Sequence, residues 1–349
     1  MDKSMKPARE RNPREEITID AARRQFLNAK RGNVKDSTHR AYKYPTRHFA
    51  DYCAENDVEY IGEVNSYLME SWVQKREAEN IKAITAQQTV KHVRVFIKWC
   101  ENSGLIEPGV YSRTRVPNVE EKEQVSHEVL RAHRAKQVLD FLSTYEYATT
   151  NHTLFRLMWD TGCRISGAMS LDLEDVGRDR QGDPTLEFVD RNQQGTPLKN
   201  SEKSERIIQI SEGLNDLLED YINRRRPDVT DEYGRNPLFT TENGRIQRQR
   251  AYKNTVAFTR PCVYSGKCPV GKEIETCEFT KKKQAMSCPE SVSLHPIRRG
   301  SITDHINRGW DKEPLSERVD VSVSVLEKHY DARTKEDELQ KRKQYKDLL

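Results

Sequence analysis

The sequence predicts a mainly α-helical protein in two parts: an N-terminal four-helix domain, then a mixed α+β domain carrying a small antiparallel sheet. Three observations lead there. Apolar residues recur at helical spacing from about residue 17 to residue 105; a stretch with two prolines, a glycine and a charge run follows over 106–125; and between Pro184 and Ile210 the period shortens from that of a helix to that of a strand.

The first helix is capped by Thr18, takes Ala21, Phe26 and Leu27 inward and ends before Gly32. A second opens at Ser37, with Tyr42, Phe49 and Tyr52 on one face and Arg40, Lys43 and Arg47 on another. A third takes Tyr67, Leu68 and Trp72 as its apolar stripe. The fourth, Thr85 to Asn102, turns Val93, Phe96, Ile97 and Cys100 inward and leaves Gln87, Gln88, Lys91, Arg94 and Lys98 off the stripe. Glutamines and basic residues on one face suit entry into a DNA groove and contact with phosphates, and equally suit an ordinary solvated surface. Gly104 closes this helix, residues 106–125 read as an interdomain linker, and residues 1–16, charged and without periodicity, as a disordered tail.

The second domain begins near Ser126 and is expected to run to about residue 335, followed by a charged helical tail over 336–349. Helices are expected over Val129–Leu142 and Asn151–Asp160, the latter closing at Thr161-Gly-Cys-Arg164. Leu186-Glu-Phe-Val and Arg206-Ile-Ile-Gln-Ile form the sheet, joined by a polar segment rich in lysine and serine; Leu214–Ile222 returns to helix and Leu238-Phe-Thr-Thr reads as a short strand.

Composition narrows the function. With 349 residues, 35% hydrophobic and 33% charged, and a mean hydropathy of −0.91, the chain describes a water-exposed protein with room for two cores. The net charge is only +4, so a polyanionic partner must be met by a local basic face. No apolar run reaches membrane-spanning length and the N-terminus lacks a signal-peptide core, which predicts no membrane partner and an intracellular, cytoplasmic, nucleoid-associated protein with reduced cysteines.

One stretch carries chemistry. In Ser293-Leu-His-Pro-Ile-Arg-Arg-Gly-Ser301, His295 and Arg298 lie three apart, and Tyr330 follows some thirty residues later in Lys328-His-Tyr-Asp331. Metal-free phosphoryl transfer to a tyrosine needs such company, because a hydroxyl of pKa about 10 attacks a phosphodiester only where cationic donors take up the charge on the phosphate oxygens.

Further pieces fall in order around it. Thr161-Gly-Cys-Arg-Ile-Ser-Gly-Ala-Met-Ser-Leu-Asp-Leu-Glu-Asp-Val176 resembles the first arginine box of the tyrosine recombinase (phage integrase, Xer-like) family, Leu294-His-Pro-Ile-Arg-Arg-Gly-Ser301 its second, and Val319-Asp-Val-Ser-Val-Ser-Val-Leu-Glu-Lys-His-Tyr-Asp331 its tyrosine box. The resemblance extends over residues 17 to about 340. It implies a SAM-like core-binding domain and a catalytic domain closing as a C-shaped clamp round double-stranded DNA, four protomers on paired attachment sites, and integration or excision of a virus or mobile element. No cofactor is implied for catalysis. By position it casts Arg164 and Arg298 as a clamp on the scissile phosphate, His295 as imidazole donor or proton-transfer partner, Tyr330 as nucleophile, and Lys199, with Lys203 as the alternative, as the acid protonating the leaving 5'-hydroxyl. Each piece also has a plain alternative: Arg164 capping a helix end, His295 bonding backbone, Tyr330 half-buried in a core. A type IB topoisomerase and a DNA-binding protein that lost catalysis are the rival functions.

Two positions depart from the family's pattern. Its acidic residue three after the first arginine is replaced by Gly167, and its second histidine or tryptophan, about ten residues before the tyrosine, falls at Asp320 or Val321. A carboxylate accepts hydrogen bonds, so Asp320 is expected to orient a histidine or arginine.

The segment just before the second box carries Cys262, Cys268, Cys277 and Cys288, and resembles the cysteine-bearing insertion of integrases from haloarchaea and their viruses. Four thiolates suit a tetrahedral structural zinc; four reduced cysteines in a loop are the alternative, since no close Cys-x-x-Cys pair is present. Cys53, Cys100 and Cys163 lie in helical patterns and read as core.

Overall fold

The computed structural model describes residues 12–120, 128–281 and 283–330, together with Leu339 and Lys343; the side chains of Pro13, His329 and Tyr330 are not among those described. Residues 1–11 of the expected tail, 121–125 of the expected linker and nearly all of the tail expected over 336–349 lie outside the described residues. The chain divides into two compact units between Val125 and Ser126.

In the first unit, α1 (Pro13–Glu16) is followed by α2 (Ile19–Lys30), α3 (Asp36–Glu55), α4 (Ser66–Ala78), α5 (Ala83–Asn102) and α6 (Val110–Arg113). Thr18 caps α2 through its hydroxyl, which accepts from the Ala21 amide at 3.3 Å. Phe26, Phe49, Trp72 and Phe96 are fully buried at the centre, with Phe49 and Trp72 edge to face at 5.3 Å. Burying a side chain such as Phe96 contributes about 1.5–3 kcal/mol.

Three expectations are corrected here. The tail expected over 1–16 includes a helical turn, α1, where Arg14 donates to the Gly104 carbonyl at 2.9 Å and pairs with Glu107. Much of the stretch expected as linker belongs to this unit: Ile106 and Val110 are buried, Gly109 at φ +95° makes a tight turn before α6, and Arg115 reaches Glu70 at 2.9 Å and Glu77 at 2.5 Å. Proline and glycine mark a turn that brings apolar residues back onto the core. Tyr67 is 83% exposed, and Met69, Trp72 and Val73 make the inner face of α4.

The second unit is built around α8 (Thr150–Thr161), whose residues 152–155, 157–159 and 161 are all buried. Around it pack α7 (Ala132–Tyr145), α10 (Glu212–Arg224), α11 (Arg248–Phe258) and α13 (Leu294–Asn307); α9 (Ile165–Ser170), α12 (Pro261–Ser265) and α14 (Lys312–Val319) are shorter. The sheet is antiparallel in the order β1 (Val176–Arg178), β2 (Pro184–Phe188), β3 (Arg206–Gln209), with Leu186 facing Val176 on one side and Ile208 on the other. Leu186, Phe188 and Ile208 are buried while Ile207 is 63% exposed, so a register slip of one residue would empty the core face. Leu238 and Phe239 are buried just before a two-residue strand at Thr240–Thr241.

The polar segment between β2 and β3 is held by a network of buried charges. Arg191 pairs with Asp175 at 2.6 Å; Arg235 donates to Thr196 Oγ1 at 2.9 Å and the Gln194 carbonyl at 2.8 Å while pairing with Asp231; Arg245 joins Asp231 to Asp172. Burial raises the Asp231 carboxyl, but hydrogen bonds from Arg235, Arg245 and backbone amides outweigh it and hold its pKa at about 2. Asp172 is 1% exposed with Arg191, Arg235 and Arg245 around it. Asp172→Ala leaves these guanidinium groups undercompensated, and urea unfolding is expected to show a loss of about 3–5 kcal/mol; a loss below about 1 kcal/mol, the level of a surface pair, would contradict this reading of the network.

Candidate active site

The turn after α8 presents Arg164. Gly162 closes the helix in the left-handed region at φ +61°, and a Cβ there would stand 3.1 Å from Val319 Cγ1 and 3.3 Å from Ser301 Oγ, so glycine is required on both counts. Arg164 follows at the N-cap of α9, half-buried, and forms an ion pair with Asp320. The same Asp320 carboxylate accepts a hydrogen bond from Ser204 Oγ at 2.8 Å. Asp320 caps α14 at φ +54°, a left-handed position that aspartate tolerates better than a bulky aromatic residue.

The first turns of α13 supply His295 and Arg298. Arg298 is 2% exposed; its Nη1 donates to the Gly162 carbonyl at 2.6 Å and its Nη2 to the Val319 carbonyl at 2.7 Å. It therefore ties the turn carrying Arg164 to the helix end carrying Asp320. Arg299, next to Arg298, is 4% exposed and so is not a surface residue.

His295 reports how these groups converge. Its edge is exposed, yet its pKa is lowered from 6.5, first by partial burial of the ring and then by the positive charges of Arg298, Arg299, Arg164 and Lys199. Cations from three separate stretches of chain thus act on one imidazole, which is the electrostatic signature of an anion site. Lys199 is the inter-strand lysine whose charge acts on His295; Lys203 lies in the turn Ser201–Ser204, and both lysines are exposed. Because the folded pKa lies below the unfolded value, the contribution of His295 to stability declines as pH falls below about 6.5. A bound phosphodiester opposes the cationic field, so NMR titration is expected to place His295 below 6.5 in the free protein and higher with DNA bound. A free-protein value at or above 6.5 would contradict the convergence.

Tyr330 ends the helical turn Leu326–Tyr330. Leu326 is fully buried among Ile302, Ile306, Leu315, Val319 and Val321, and the turn packs against α13. The Tyr330 main chain thus lies just beyond an apolar anchor on the helix that carries His295 and Arg298. At Gly167, an added Cβ would stand 3.2 Å from the Phe188 ring, so an acidic residue does not fit there without displacing that ring.

Sequence reasoning missed Ser204, Arg206 and Arg318. Arg206 stacks on Phe188 at 4.2 Å and donates to the Arg318 and Ser204 carbonyls, both at 2.8 Å; Arg318 donates to the Gln209 carbonyl at 2.6 Å. Together they fasten β3 to α14. In sequence these are polar or charged residues on short elements, indistinguishable from a solvated face.

On the first unit, Arg40, Lys43, Arg47, Gln88, Lys91 and Lys98 are exposed. Gln87 is corrected: it is 8% exposed and donates to the Pro117 carbonyl at 2.9 Å, because the returning chain covers it. Lys91 donates to Gln87 at 2.8 Å, Arg47 pairs with Asp51 at 2.9 Å, and Arg94 is half-buried over the Tyr111 ring at 4.5 Å. Cys53, Cys100 and Cys163 are buried; Cys262, Cys268, Cys277 and Cys288 are partly exposed and line one small cavity.

A helical unit followed by a second helical unit with a small sheet, with arginine, lysine, a His-x-x-Arg helix and tyrosine in that order, is the arrangement that the resemblance to tyrosine recombinases implies. The comparisons agree. No family model matches the chain. Tyrosine recombinase XerC from Mycobacterium sp. (strain KMS) is 24% identical over 163 residues, 45% of this chain and 53% of that protein. The chain thus spans about half the length of the curated relatives it matches. Among solved structures, the Tn1549 transposon integrase in complex with a circular intermediate DNA superposes with a TM-score of 0.60 at 15% identity, over 94% of this chain and 100% of that one. A lambda integrase tetramer bound to a Holliday junction gives 0.60 at 11% identity, over 95% and 83%. The chain is therefore similar in sequence to tyrosine recombinases over part of its length and shares the fold of the integrases. Among the described residues, no helix is long and apolar enough to cross a membrane.

Proposed function

We propose that this protein is a site-specific DNA recombinase that cuts and rejoins strands through Tyr330. The observation that carries the reading is the convergence of Arg164, Lys199, Arg298 and Arg299 on His295, beside the turn that ends at Tyr330. The Tyr330 oxygen attacks the scissile phosphorus as its hydroxyl proton passes to His295, a Tyr–O–P bond forms and the P–O5' bond breaks. Guanidinium donors of Arg164 and Arg298 take up charge on the non-bridging oxygens, and Lys199 gives a proton to the leaving 5'-oxygen. One phosphoester replaces another, so the bond energy is kept in the 3'-phosphotyrosine and no nucleotide cofactor is consumed. The freed 5'-hydroxyl of a partner strand reverses the step.

The exposed basic residues of α3 and α5 supply sequence-independent grip, with salt-sensitive affinity. Paired attachment sites held by four protomers, in the service of a mobile element, is the finer reading; the transposon and lambda integrases among the structural relatives support it.

A second reading is favoured by one contact: Asp320 occupies Arg164, which an incoming phosphate must share, as suits a protein that binds DNA without cutting it. One experiment separates the two. With a nicked suicide substrate carrying the attachment site, a recombinase accumulates a covalent protein–DNA band on a denaturing gel; binding to that substrate without the band would establish the second reading.

A further inference from the structure

Residues 260–291 leave the body of the second unit and return to it. The base of this excursion is closed by Thr259, whose hydroxyl accepts from the Val292 amide at 2.7 Å and donates to its carbonyl at 3.2 Å, directly before α13. Arg134 of α7 clasps both ends, donating to Tyr264 Oη at 3.0 Å, the Thr259 carbonyl at 3.3 Å and the Glu290 carbonyl at 3.1 Å.

What holds the excursion itself is not an apolar core. From Gly266 to Ser291 the described chain has no strand and no α-helix, only turns and the short 3-10 segments Glu278–Thr280 and Ala285–Ser287. Among the described residues of that stretch only Ala285 is buried; the partly buried ones are Cys268, Ile274, Cys277, Phe279, Cys288, Glu290 and Ser291. Long loops without secondary structure or core ordinarily need a cross-link or a metal to adopt one shape. Three of those seven partly buried side chains are cysteines. Cys268, Cys277 and Cys288 meet Cys262, from α12, around a single cavity that Ile274 and Phe279 wall on the apolar side. Arg260 and Lys272 also line it, and Arg260 donates to the Phe279 carbonyl. Their positive charges offset the double negative charge that four thiolates leave on a divalent ion.

We propose that Cys262, Cys268, Cys277 and Cys288 bind one structural zinc ion, which fixes this excursion and the entry of the chain into the helix bearing His295. Each thiol releases its proton on binding, and four sulfur ligands close the tetrahedron, leaving no open position for catalysis. The ion draws the sulfurs inward, since among the described residues no group of three His, Cys, Asp or Glu side chains is already arranged to hold a metal. A loop without a packed core offers little resistance to that movement. The site is independent of strand transfer, and its test does not depend on activity.

The full chain, purified from zinc-supplemented cells without chelator, is expected to carry one zinc per chain, released by a mercurial thiol reagent. Cobalt exchanged into it is expected to give thiolate charge-transfer absorption and the strong visible bands of a tetrahedral site. Cys262→Ser with Cys288→Ser is expected to lose the metal. Should that variant misfold, the wild-type protein still decides: chelation is expected to open cleavage by trypsin at Lys281 and Lys283, and zinc to close it again. Substoichiometric zinc with no cobalt spectrum, zinc retained by the serine variant, or disulfides among these four cysteines in freshly purified protein would each overturn the proposal.

Discussion

Tyr330→Phe is expected to reduce covalent adduct formation on a suicide substrate by at least about 10⁴-fold, because removing the nucleophilic atom removes the reaction path itself. DNA affinity and its salt dependence are expected to stay within about twofold, since phosphate contacts come from arginine and lysine side chains on other elements. The combination separates nucleophile from binding residue. Tyr345→Phe serves as the control, being the other tyrosine near the C-terminus; it is expected to leave the adduct unchanged. An adduct surviving in Tyr330→Phe would remove Tyr330 from the mechanism, whatever the rest of the site does.

Most of the frame was legible because it rests on periodicity. The stripe Val93, Phe96, Ile97 and Cys100 is buried throughout, Thr18 caps the helix it was expected to cap, and β2 and β3 pair where the period changes to two. Two helical units were foreseen for the same reason. What failed depends on tertiary contact. Pro108 and Gly109 look the same in a linker and in a tight turn; only the burial of Ile106 and Val110 distinguishes them, and burial needs the partner surface. Gln87 faces away from the apolar stripe and reads as solvent-facing until the chain near Pro117 covers it.

For the candidate site, sequence supplied residues and left their arrangement to the fold. Arg164, His295 and Arg298 could be read from short local spacings around glycine, proline and helix starts. The anchoring by Ser204, Arg206 and Arg318 depends on where an irregular segment folds back, which spacing does not encode. Asp320 shows how a departure from a pattern acquires a physical reason. A left-handed helix cap that must hold Arg164 and accept from Ser204 suits a short carboxylate.

Arg298 joins scaffold and chemistry, and comparison with Arg164 separates the two. Two of the five donors of Arg298 go to the carbonyls of Gly162 and Val319, in a buried setting where a single ammonium cannot span both. Arg298→Lys is therefore expected to cut cleavage by about 10³-fold, the scale set by losing preorganised donors to phosphate oxygens. It is also expected to lower stability by about 2–4 kcal/mol, because two buried acceptors lose their partners. Arg164→Lys, at a half-buried site facing Asp320, is expected to lose cleavage on a comparable scale while stability in urea changes by no more than about 1 kcal/mol. If Arg298→Lys lost stability but kept cleavage within about tenfold, Arg298 would be a strut between the two helix ends, and the phosphate clamp would rest on Arg164 with the buried Arg299. Loss of cleavage with unchanged stability would show instead that the two carbonyl bonds are dispensable, and that the fork is held ready for the phosphate.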